Sequence, residues 1–258
     1  MPELIEVELY RTAAEALVGR TIAAVTTGDP LLLRGLPPSA LADALAGRTV
    51  VAARRHGKVL LLDLDAGGPL GLRFGMTGRL VVDGVAPIVE LLYSSGRDDL
   101  RWDRLVLELR GGGSMRVSDP RRLGGISLDP DLSRLGPDAP AITASELATA
   151  IAGAVALKAR LLDQHHVAGI GNLICDETLW RTRLAPGRPG GSLGPDEVAA
   201  LRRTLRSTVR TLTRRGGSHT GDLQSERRAD GHCPRCGERL ARDVIGGRTT
   251  YWCRAEQR

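Results

Sequence analysis

The chain has 258 residues, enough for one large domain or two ordinary ones. Hydrophobic residues make up 42% and charged residues 26%, which is the balance of a globular protein. The sequence contains no apolar run of about eighteen residues, the length that a membrane-spanning helix needs. Four cysteines at this length exclude a disulfide scaffold, and the N-terminus lacks a secretory signal, so we expect a cytoplasmic protein.

The first half of the chain predicts one helix followed by strands. Apolar residues at helical spacing over residues 3–18 predict a helix that ends at Gly19. Short runs rich in Val and Leu, separated by glycine turns, predict strands, with one helix at residues 39–46. The predicted strands are residues 21–27, 49–54, 59–64, 70–74, 79–82, 105–109 and 114–117. This pattern is typical of an antiparallel β-sandwich or barrel.

From about Asp129 the pattern changes to helices. Thr143-Ala-Ser-Glu146 predicts a capping box at the start of a helix. Another helix is predicted to begin near Pro195 and to end at Gly216-Gly217. Its apolar stripe consists of Val198, Leu201, Leu205, Val209 and Leu212, and the arginines between them are typical of a solvated face.

The N-terminal residues Pro2, Glu3 and Glu6 support two interpretations. They are an ordinary helix start, with proline first and acids facing the positive end of the helix dipole. Alternatively, Met1 is removed and the secondary amine of Pro2 can attack the anomeric carbon of a sugar to form an iminium. Glu3 and Glu6 are three residues apart, so both lie on one helical face beside that amine, where one could act as a general acid.

The cysteines near the end of the chain predict a metal site. Cys233-Pro-Arg-Cys236 is followed by Cys253, a spacing typical of a zinc ribbon. Glu256 stands at the position of the fourth ligand. A carboxylate can bind zinc, His232 is the alternative, and a site that has lost its metal stays open as a third interpretation. The fourth cysteine, Cys175, is expected to be a buried helix residue.

Two weaker signals favour a phosphate ligand. The net charge is +6, and of 36 Lys and Arg only Lys58 and Lys158 are lysine, which marks them as sites that need an ammonium or as chance survivors. Gly169-Ile-Gly-Asn172, entering a helix, can present backbone N–H groups and an amide to a phosphate, or it is a simple connection between helices.

In this order and over essentially the whole chain, the motifs resemble those of the formamidopyrimidine-DNA glycosylase / endonuclease VIII family (the helix-two-turns-helix DNA glycosylases). The similarity is greater to the formamidopyrimidine branch. Both lysines fall on motif positions, which favours their functional interpretation. The motifs are residues 2–8, Arg55-His56-Gly57-Lys58, Gly75-Met76-Thr77-Gly78, Asp119-Pro120-Arg121-Arg122-Leu123-Gly124, residues 157–164, Gly169-Ile170-Gly171-Asn172, and Arg248 with Cys253.

The resemblance implies a bifunctional DNA glycosylase and AP lyase of base-excision repair. Pro2 is expected to form a Schiff base at C1′ of the damaged nucleotide while Glu3 protonates the sugar ring oxygen, and Glu6 holds the N-terminus in place. Lys58 is expected to bind the phosphate and is the candidate proton donor as β- and then δ-elimination cleaves the strand. Met76, Arg121 and Leu123 fill the gap left by the flipped nucleotide. Further DNA contacts are assigned to Arg122, Lys158, Asn172 and Arg248, and one structural Zn²⁺ to Cys233, Cys236, Cys253 and Glu256.

The fold implied is α+β. An N-terminal antiparallel β-sandwich flanked by helices is expected in residues 1–128, a helical helix-two-turns-helix DNA-binding domain in residues 129–228, and a zinc-finger β-hairpin in residues 229–258. The expected partner is double-stranded DNA with damaged bases or abasic sites, bound in the cleft between the lobes by a monomer associated with the nucleoid. No membrane partner is expected.

Three departures from the family bear on metal and substrate. Glu256 replaces the last cysteine, Leu123 stands where the formamidopyrimidine branch has phenylalanine, and the segment between Gly217 and Cys233 is too short for the loop that covers an oxidised guanine. Met76 with Arg121 favours a purine lesion opposite cytosine, because an arginine can hydrogen-bond to the acceptors of an unpaired cytosine. The short segment favours ring-opened formamidopyrimidines, including N7-alkylated ones, over 8-oxoguanine.

Two alternative functions belong to other classes. A non-catalytic binder of damaged DNA on the same scaffold has no need of Pro2, Glu3, Glu6 and Lys58 together. A zinc-ribbon accessory protein of transcription or the ribosome explains only the finger and the basic charge.

Overall fold

The structure is a computed structural model, and it describes residues 2–27, 29–88, 91–92 and 96–258. Met1, whose removal is predicted, lies outside this range. The described residues form two compact units: Pro2 with Glu6–Leu132, and Glu3–Ile5 with Ser133–Arg258. No helix in the described ranges is long and apolar enough to cross a bilayer.

The first unit is built from two antiparallel four-stranded sheets. The strands of one sheet are, in spatial order, β1 (Ile22–Thr27), β6 (Asp103–Leu109), β7 (Ser114–Ser118) and β5 (Arg79–Val82). Those of the other are β2 (Val50–His56), β3 (Val59–Leu64), β4 (Leu70–Arg73) and β8 (Gly125–Leu128). The helices of this unit are α1 (Leu4–Ala14), which starts in residues grouped with the second unit, and α2 (Pro38–Leu45).

One apolar core holds the two sheets together. Leu62 and Leu72 from one sheet and Leu107 and Val117 from the other belong to the same buried cluster. Strands bury alternate residues on one face, and two such faces packed together make a sandwich. The predicted antiparallel sandwich is therefore confirmed, and the barrel alternative does not apply.

The second unit is mainly helical. Its helices are α3 (Ala144–Ile151), α4 (Leu157–Leu162), α5 (Asn172–Thr182) and α6 (Pro195–Arg214). The predicted capping box is present, since Thr143 and Glu146 bond to each other's backbone N–H groups. All five residues of the predicted apolar stripe on α6 are buried, and they pack in a core with Leu4 and Ile5.

The chain ends in a β-hairpin. β9 (Ala241–Ile245) pairs with β10 (Arg248–Trp252) through a turn at Gly246 and Gly247, whose φ angles are +59° and +70°. Left-handed φ at both central residues is the geometry of a tight hairpin turn and favours glycine. A small core of its own, made of Trp180, Leu223, Cys233, Leu240 and Cys253, packs beneath the hairpin.

Candidate active site and DNA-binding residues

The carboxylate of Glu3 caps the N-terminal end of α5. Oε1 accepts a hydrogen bond from the backbone N–H of Leu173 at 2.9 Å, and Oε2 accepts one from Ile174 at 3.1 Å. The first N–H groups of a helix have no partner within it, and its N-terminus carries partial positive charge, so an anionic side chain is stabilised there. Only 1% of Glu3 is exposed. The residue after Pro2 is thus a buried carboxylate with a fixed orientation.

Gly171, just before α5, leaves the space that Glu3 occupies. A Cβ at position 171 would lie 2.1 Å from Cδ and 2.4 Å from Cγ of Glu3. The φ of Gly171 is −114°, which any residue can adopt, so close approach and not backbone conformation requires the glycine here.

Arg55 fixes the turn that carries Lys58. This turn joins β2 to β3, and Lys58 is half-buried in it. Arg55 donates from Nη1 to the carbonyl of Gly57 at 3.0 Å and from Nε to the Glu8 carboxylate on α1 at 2.9 Å. Only 8% of the Arg55 side chain is exposed. The arginine therefore sets the position of the Lys58 turn relative to α1.

The buried carboxylate of Asp119 organises two loops of the first unit. Oδ1 accepts from the Thr77 hydroxyl at 2.6 Å and from the backbone N–H of Arg121 at 3.2 Å. Oδ2 accepts from the N–H groups of Leu123 at 2.8 Å and Gly124 at 2.9 Å. One side chain thus joins the loop after β4 to the loop before β8.

These two loops present the side chains expected to fill a gap in DNA. Met76 is half-buried, Arg121 is exposed, and 45% of Leu123 is exposed. Arg122 instead pairs with Asp29, and its guanidinium lowers the pKa of that carboxyl. An exposed leucine beside an exposed arginine combines an apolar wedge with a hydrogen-bond donor, which suits insertion into a base stack.

Lys158 lies inside the second unit. It is fully buried, and its Nζ is 2.5 Å from Oδ1 of Asp176 and 3.3 Å from the carbonyl of Thr249. The other oxygen of Asp176 accepts from Arg227 at 2.8 Å. Burial raises the pKa of Asp176, and the two cations oppose that shift. The direct DNA contact predicted for Lys158 is corrected here, because its ammonium is enclosed and positions the hairpin instead.

Asn172 and Arg248 are the other predicted contacts in this unit. Asn172 donates from Nδ2 to the same Thr249 carbonyl at 3.1 Å, while its buried Oδ1 has no hydrogen-bond partner among the described residues. Arg248 is exposed and begins β10 directly after the glycine turn. The Thr249 carbonyl therefore fixes the hairpin, and Arg248 with it, against the start of α5.

The segment between Gly217 and Cys233 is attached to α5. Glu177, of which 3% is exposed, accepts from the N–H groups of Asp222 at 3.1 Å and Leu223 at 2.9 Å. Asp222 also pairs with Arg181 at 2.7 Å and Arg215 at 2.6 Å. These bonds hold residues 222 and 223 of the segment against the helix.

Three cysteines of the finger lie together. The sulfurs of Cys233, Cys236 and Cys253 are within 4.8 Å of one another. Trp180 donates its indole N–H to Cys233 Sγ at 3.4 Å. Three convergent thiols fit a thiophilic divalent ion such as zinc. Glu256, predicted as the fourth ligand, is not part of this group.

Comparison with known proteins agrees with this arrangement. The family model of the formamidopyrimidine-DNA glycosylase N-terminal domain matches residues 1–126, and that of the formamidopyrimidine-DNA glycosylase H2TH domain matches residues 135–223. A formamidopyrimidine-DNA glycosylase of Cereibacter sphaeroides is 35% identical, with all of both chains covered. The chain belongs to the formamidopyrimidine-DNA glycosylase family.

Solved structures of formamidopyrimidine-DNA glycosylases are similar as well. The MutM (Fpg) protein of Thermus thermophilus is 31% identical, with a TM-score of 0.79 over 99% of this chain and 98% of that one. A Lactococcus lactis Fpg (MutM), crystallised with DNA containing N7-benzyl-Fapy-dG, has a TM-score of 0.83 over the whole of both chains. At 24% identity it shares the fold.

The residues that position the predicted ones are not apparent from the sequence alone. Asp119, Gly171 and Arg55 lie within the motifs, but no local pattern assigns them a positioning role. Asp176 and Glu177 are two acids inside a buried stretch of α5 whose other residues, apart from Thr178, are apolar. A pair of acids in an apolar run indicates buried carboxylates that have partners, because charged residues are rarely buried without them.

We expect Asp119→Ala to destabilise the first unit and to disable base excision. The substitution leaves four donors without an acceptor, and each buried unsatisfied group costs about 1–3 kcal/mol, so a loss of about 3 kcal/mol is expected after partial hydration. Thr77→Val removes one of these bonds and should cost about 1 kcal/mol. Urea denaturation measures both free energies of unfolding. Equal losses in the two variants would show that water replaces the carboxylate.

Proposed function

We propose that this chain removes damaged purines from DNA and then cleaves the strand, as a bifunctional DNA glycosylase and AP lyase. The observation that carries this proposal is the Glu3 carboxylate, buried and oriented at the start of α5 and directly following Pro2. A protein that only bound damaged DNA would have no use for such a group. The family to which the chain belongs supports the same activity.

The proposed reaction begins with the secondary amine of Pro2 after Met1 has been removed. Its lone pair forms a bond to C1′ as the bond from C1′ to the damaged base breaks and the base leaves with the electron pair. Glu3, next to Pro2 in the chain, takes the proton of the attacking amine and passes it to the ring oxygen O4′. The C1′–O4′ bond then breaks, which opens the sugar and leaves an iminium.

Strand cleavage follows from the iminium. It acidifies C2′, and loss of a C2′ proton expels the 3′ phosphate by β-elimination, with δ-elimination of the 5′ phosphate next. Lys58 is the proposed phosphate ligand and proton donor in these steps, placed by Arg55. Glu6, buried in the first unit, is the proposed anchor of the N-terminus.

Both units are proposed to contact the same DNA. From the first unit, Met76, Arg121 and Leu123 would fill the gap left by the flipped nucleotide. From the second, Asn172 and Arg248 would bind backbone phosphates, since one offers an amide and the other an exposed guanidinium. The DNA in question is chromosomal, so the enzyme would work at the nucleoid in the cytoplasm.

The proposed zinc ion has a structural role. Cys233, Cys236 and Cys253 would hold it as thiolates, and it would cross-link the two ends of the finger. No catalytic step depends on it.

The preferred substrate is proposed to be a ring-opened formamidopyrimidine opposite cytosine. The segment between Gly217 and Cys233 is short, and Glu177 and Arg181 hold Asp222 and Leu223 against α5, so we propose that it gives a flipped base little cover. An uncovered base site loses contacts that distinguish 8-oxoguanine from guanine and admits bulky N7 substituents. A ring-opened purine stacks poorly, so it costs less to flip.

Excision of N7-methyl-formamidopyrimidine and of 8-oxoguanine, each opposite cytosine in identical duplexes, tests this proposal. We expect the formamidopyrimidine to be released at least about tenfold faster, which corresponds to about 1.4 kcal/mol in the barrier. Mass spectrometry of bases released from a mixed-lesion duplex extends the comparison. Release of 8-oxoguanine at an equal or higher rate would contradict the uncovered site, and release of oxidised pyrimidines alone would contradict the purine assignment.

A further inference from the structure

Glu256 is engaged by arginines. Its Oε2 accepts from Nη1 of Arg235 at 2.9 Å and lies 3.3 Å from Nε of Arg183. Glu256 follows Cys253 by three residues, the spacing at which a second zinc knuckle places its last ligand. The carboxylate therefore occupies the sequence position of a ligand while its charge is balanced by two guanidinium groups.

Arg235 ties this ion pair to the end of α5. Its guanidinium lies 4.5 Å from the ring centroid of Trp180, and its Nη2 donates to the backbone carbonyl of Trp180 at 3.1 Å. The same tryptophan donates to Cys233 Sγ. Arg235, which stands inside the first cysteine knuckle, thus joins that knuckle, the helix and the second knuckle.

The residues after Cys253 are held independently of any metal. The side chain of Gln257 accepts from the N–H of Cys253 at 2.9 Å and donates to the carbonyl of Leu184 at 2.9 Å. The backbone N–H of Arg258 donates to the carbonyl of Arg183 at 3.0 Å, and the carbonyl of Arg258 accepts from the N–H of Ala185 at 2.9 Å. These bonds attach the residues on either side of Glu256 to the segment that follows α5.

Moving Glu256 onto the metal would undo this arrangement. Its carboxylate would leave both arginines, and Arg235, stacked against Trp180, would lose its only anionic partner among the described residues. Separating a partly buried ion pair leaves an uncompensated charge, which is unfavourable. His232 is no substitute, because it is exposed and lies outside the cysteine group.

We infer that the metal is bound by three thiolates, Cys233, Cys236 and Cys253, with a fourth position open to water, and that the Glu256–Arg235–Arg183 ion-pair cluster closes the finger where a fourth ligand would otherwise do so. This inference rests on the proposed zinc site. It adds the identity of the metal ligands, and it assigns closure of the finger to the ion pairs and not to a fourth metal ligand.

Titration of the apo-protein with Co²⁺ tests the ligand set, because thiolate-to-cobalt charge-transfer absorption grows with the number of thiolates. We expect the wild-type chain and Glu256→Gln to give the same spectrum and affinities within about twofold. Glu256→Cys should add a thiolate band and tighten binding at least tenfold, about 1.4 kcal/mol. Cys253→Ser is the control for loss of a true ligand. A tenfold or greater loss of affinity in Glu256→Gln, or no Co²⁺ binding by the wild type, would overturn the inference.

Hydrogen exchange of the hairpin amides with and without Zn²⁺ tests the ion-pair cluster. We expect β9 and β10 of the wild type to keep most of their protection after chelation, whereas Glu256→Gln without metal should lose it. Unprotected hairpin amides in the metal-free wild type would contradict closure by the ion pairs. Borohydride trapping on an abasic duplex is measured on the same samples. Because trapping reports the proposed enzyme activity and not the metal ligands, failure of the proposed function can be distinguished from failure of this inference.

Discussion

Replacing Pro2 by glycine should reduce borohydride-trapped adduct on an abasic duplex, and base excision should fall by at least about 100-fold, or about 2.7 kcal/mol in the barrier. Glycine replaces the secondary amine of proline with a primary amine. A residual Schiff base is therefore expected, but the permanently charged iminium that a secondary amine yields is lost. Glu3→Gln should reduce excision by a similar factor, because the amide cannot carry the proton to O4′. Single-turnover kinetics and gel electrophoresis after borohydride measure both effects.

Glu15→Gln is a matched control for these variants. Glu15 follows α1, is exposed, and pairs only with Arg11 among the described residues. We expect wild-type excision from it. Trapping and excision by Pro2→Gly at the wild-type rate would show that the secondary amine of proline is not required for the reaction. Absence of any trapped adduct or excision in the wild-type protein would instead favour a protein that binds damaged DNA without turnover.

Gly171→Ala should be as damaging as Glu3→Gln, although it adds a single methyl group. The new Cβ would lie 2.1 Å from Cδ of Glu3, so the carboxylate must leave the N–H groups of Leu173 and Ile174. We expect excision to fall by at least about 100-fold. Affinity for an abasic duplex should change much less, because Asn172 and Arg248 are left in place.

The control for this substitution is Gly187→Ala. At position 187 the nearest atom to a new Cβ is Cδ1 of Ile245 at 3.8 Å, an ordinary contact, and we expect wild-type kinetics. Circular dichroism and thermal unfolding of both variants separate a local displacement from loss of the fold. An alanine variant at position 171 that excises at the wild-type rate would show that the position of Glu3 does not limit the reaction.

The parts of the fold that depend on local sequence were predictable. The strands predicted at residues 59–64 and 79–82 have the same bounds in the structure, because short apolar runs between glycine turns specify them. The capping box of Thr143 and the apolar stripe of α6 are also local patterns. β8 (Gly125–Leu128) is not among the predicted strands. It has four residues, Gly124 and Gly125 stand at its start, and its pairing with β4 joins residues far apart in the chain.

The positioning of the site was not predictable, because its contacts join residues far apart in the chain. Glu3 bonds to N–H groups 170 and 171 residues away, and no local pattern marks that pair. The rarity of lysine singles out Lys158 in the sequence, but it does not indicate that the side chain is buried against Asp176. The substitution at Glu256 was visible in the sequence, whereas its arginine partners depend on the fold of the finger.

Enclosure of Lys158 has a practical consequence for chemical labelling. The chain contains two lysines, and Lys158 is fully buried in the second unit. Acylating reagents and aldehydes therefore have two amines to react with in the folded protein, that of Lys58 and that of the N-terminus. An adduct formed with an abasic aldehyde can be assigned by mass to one of two peptides.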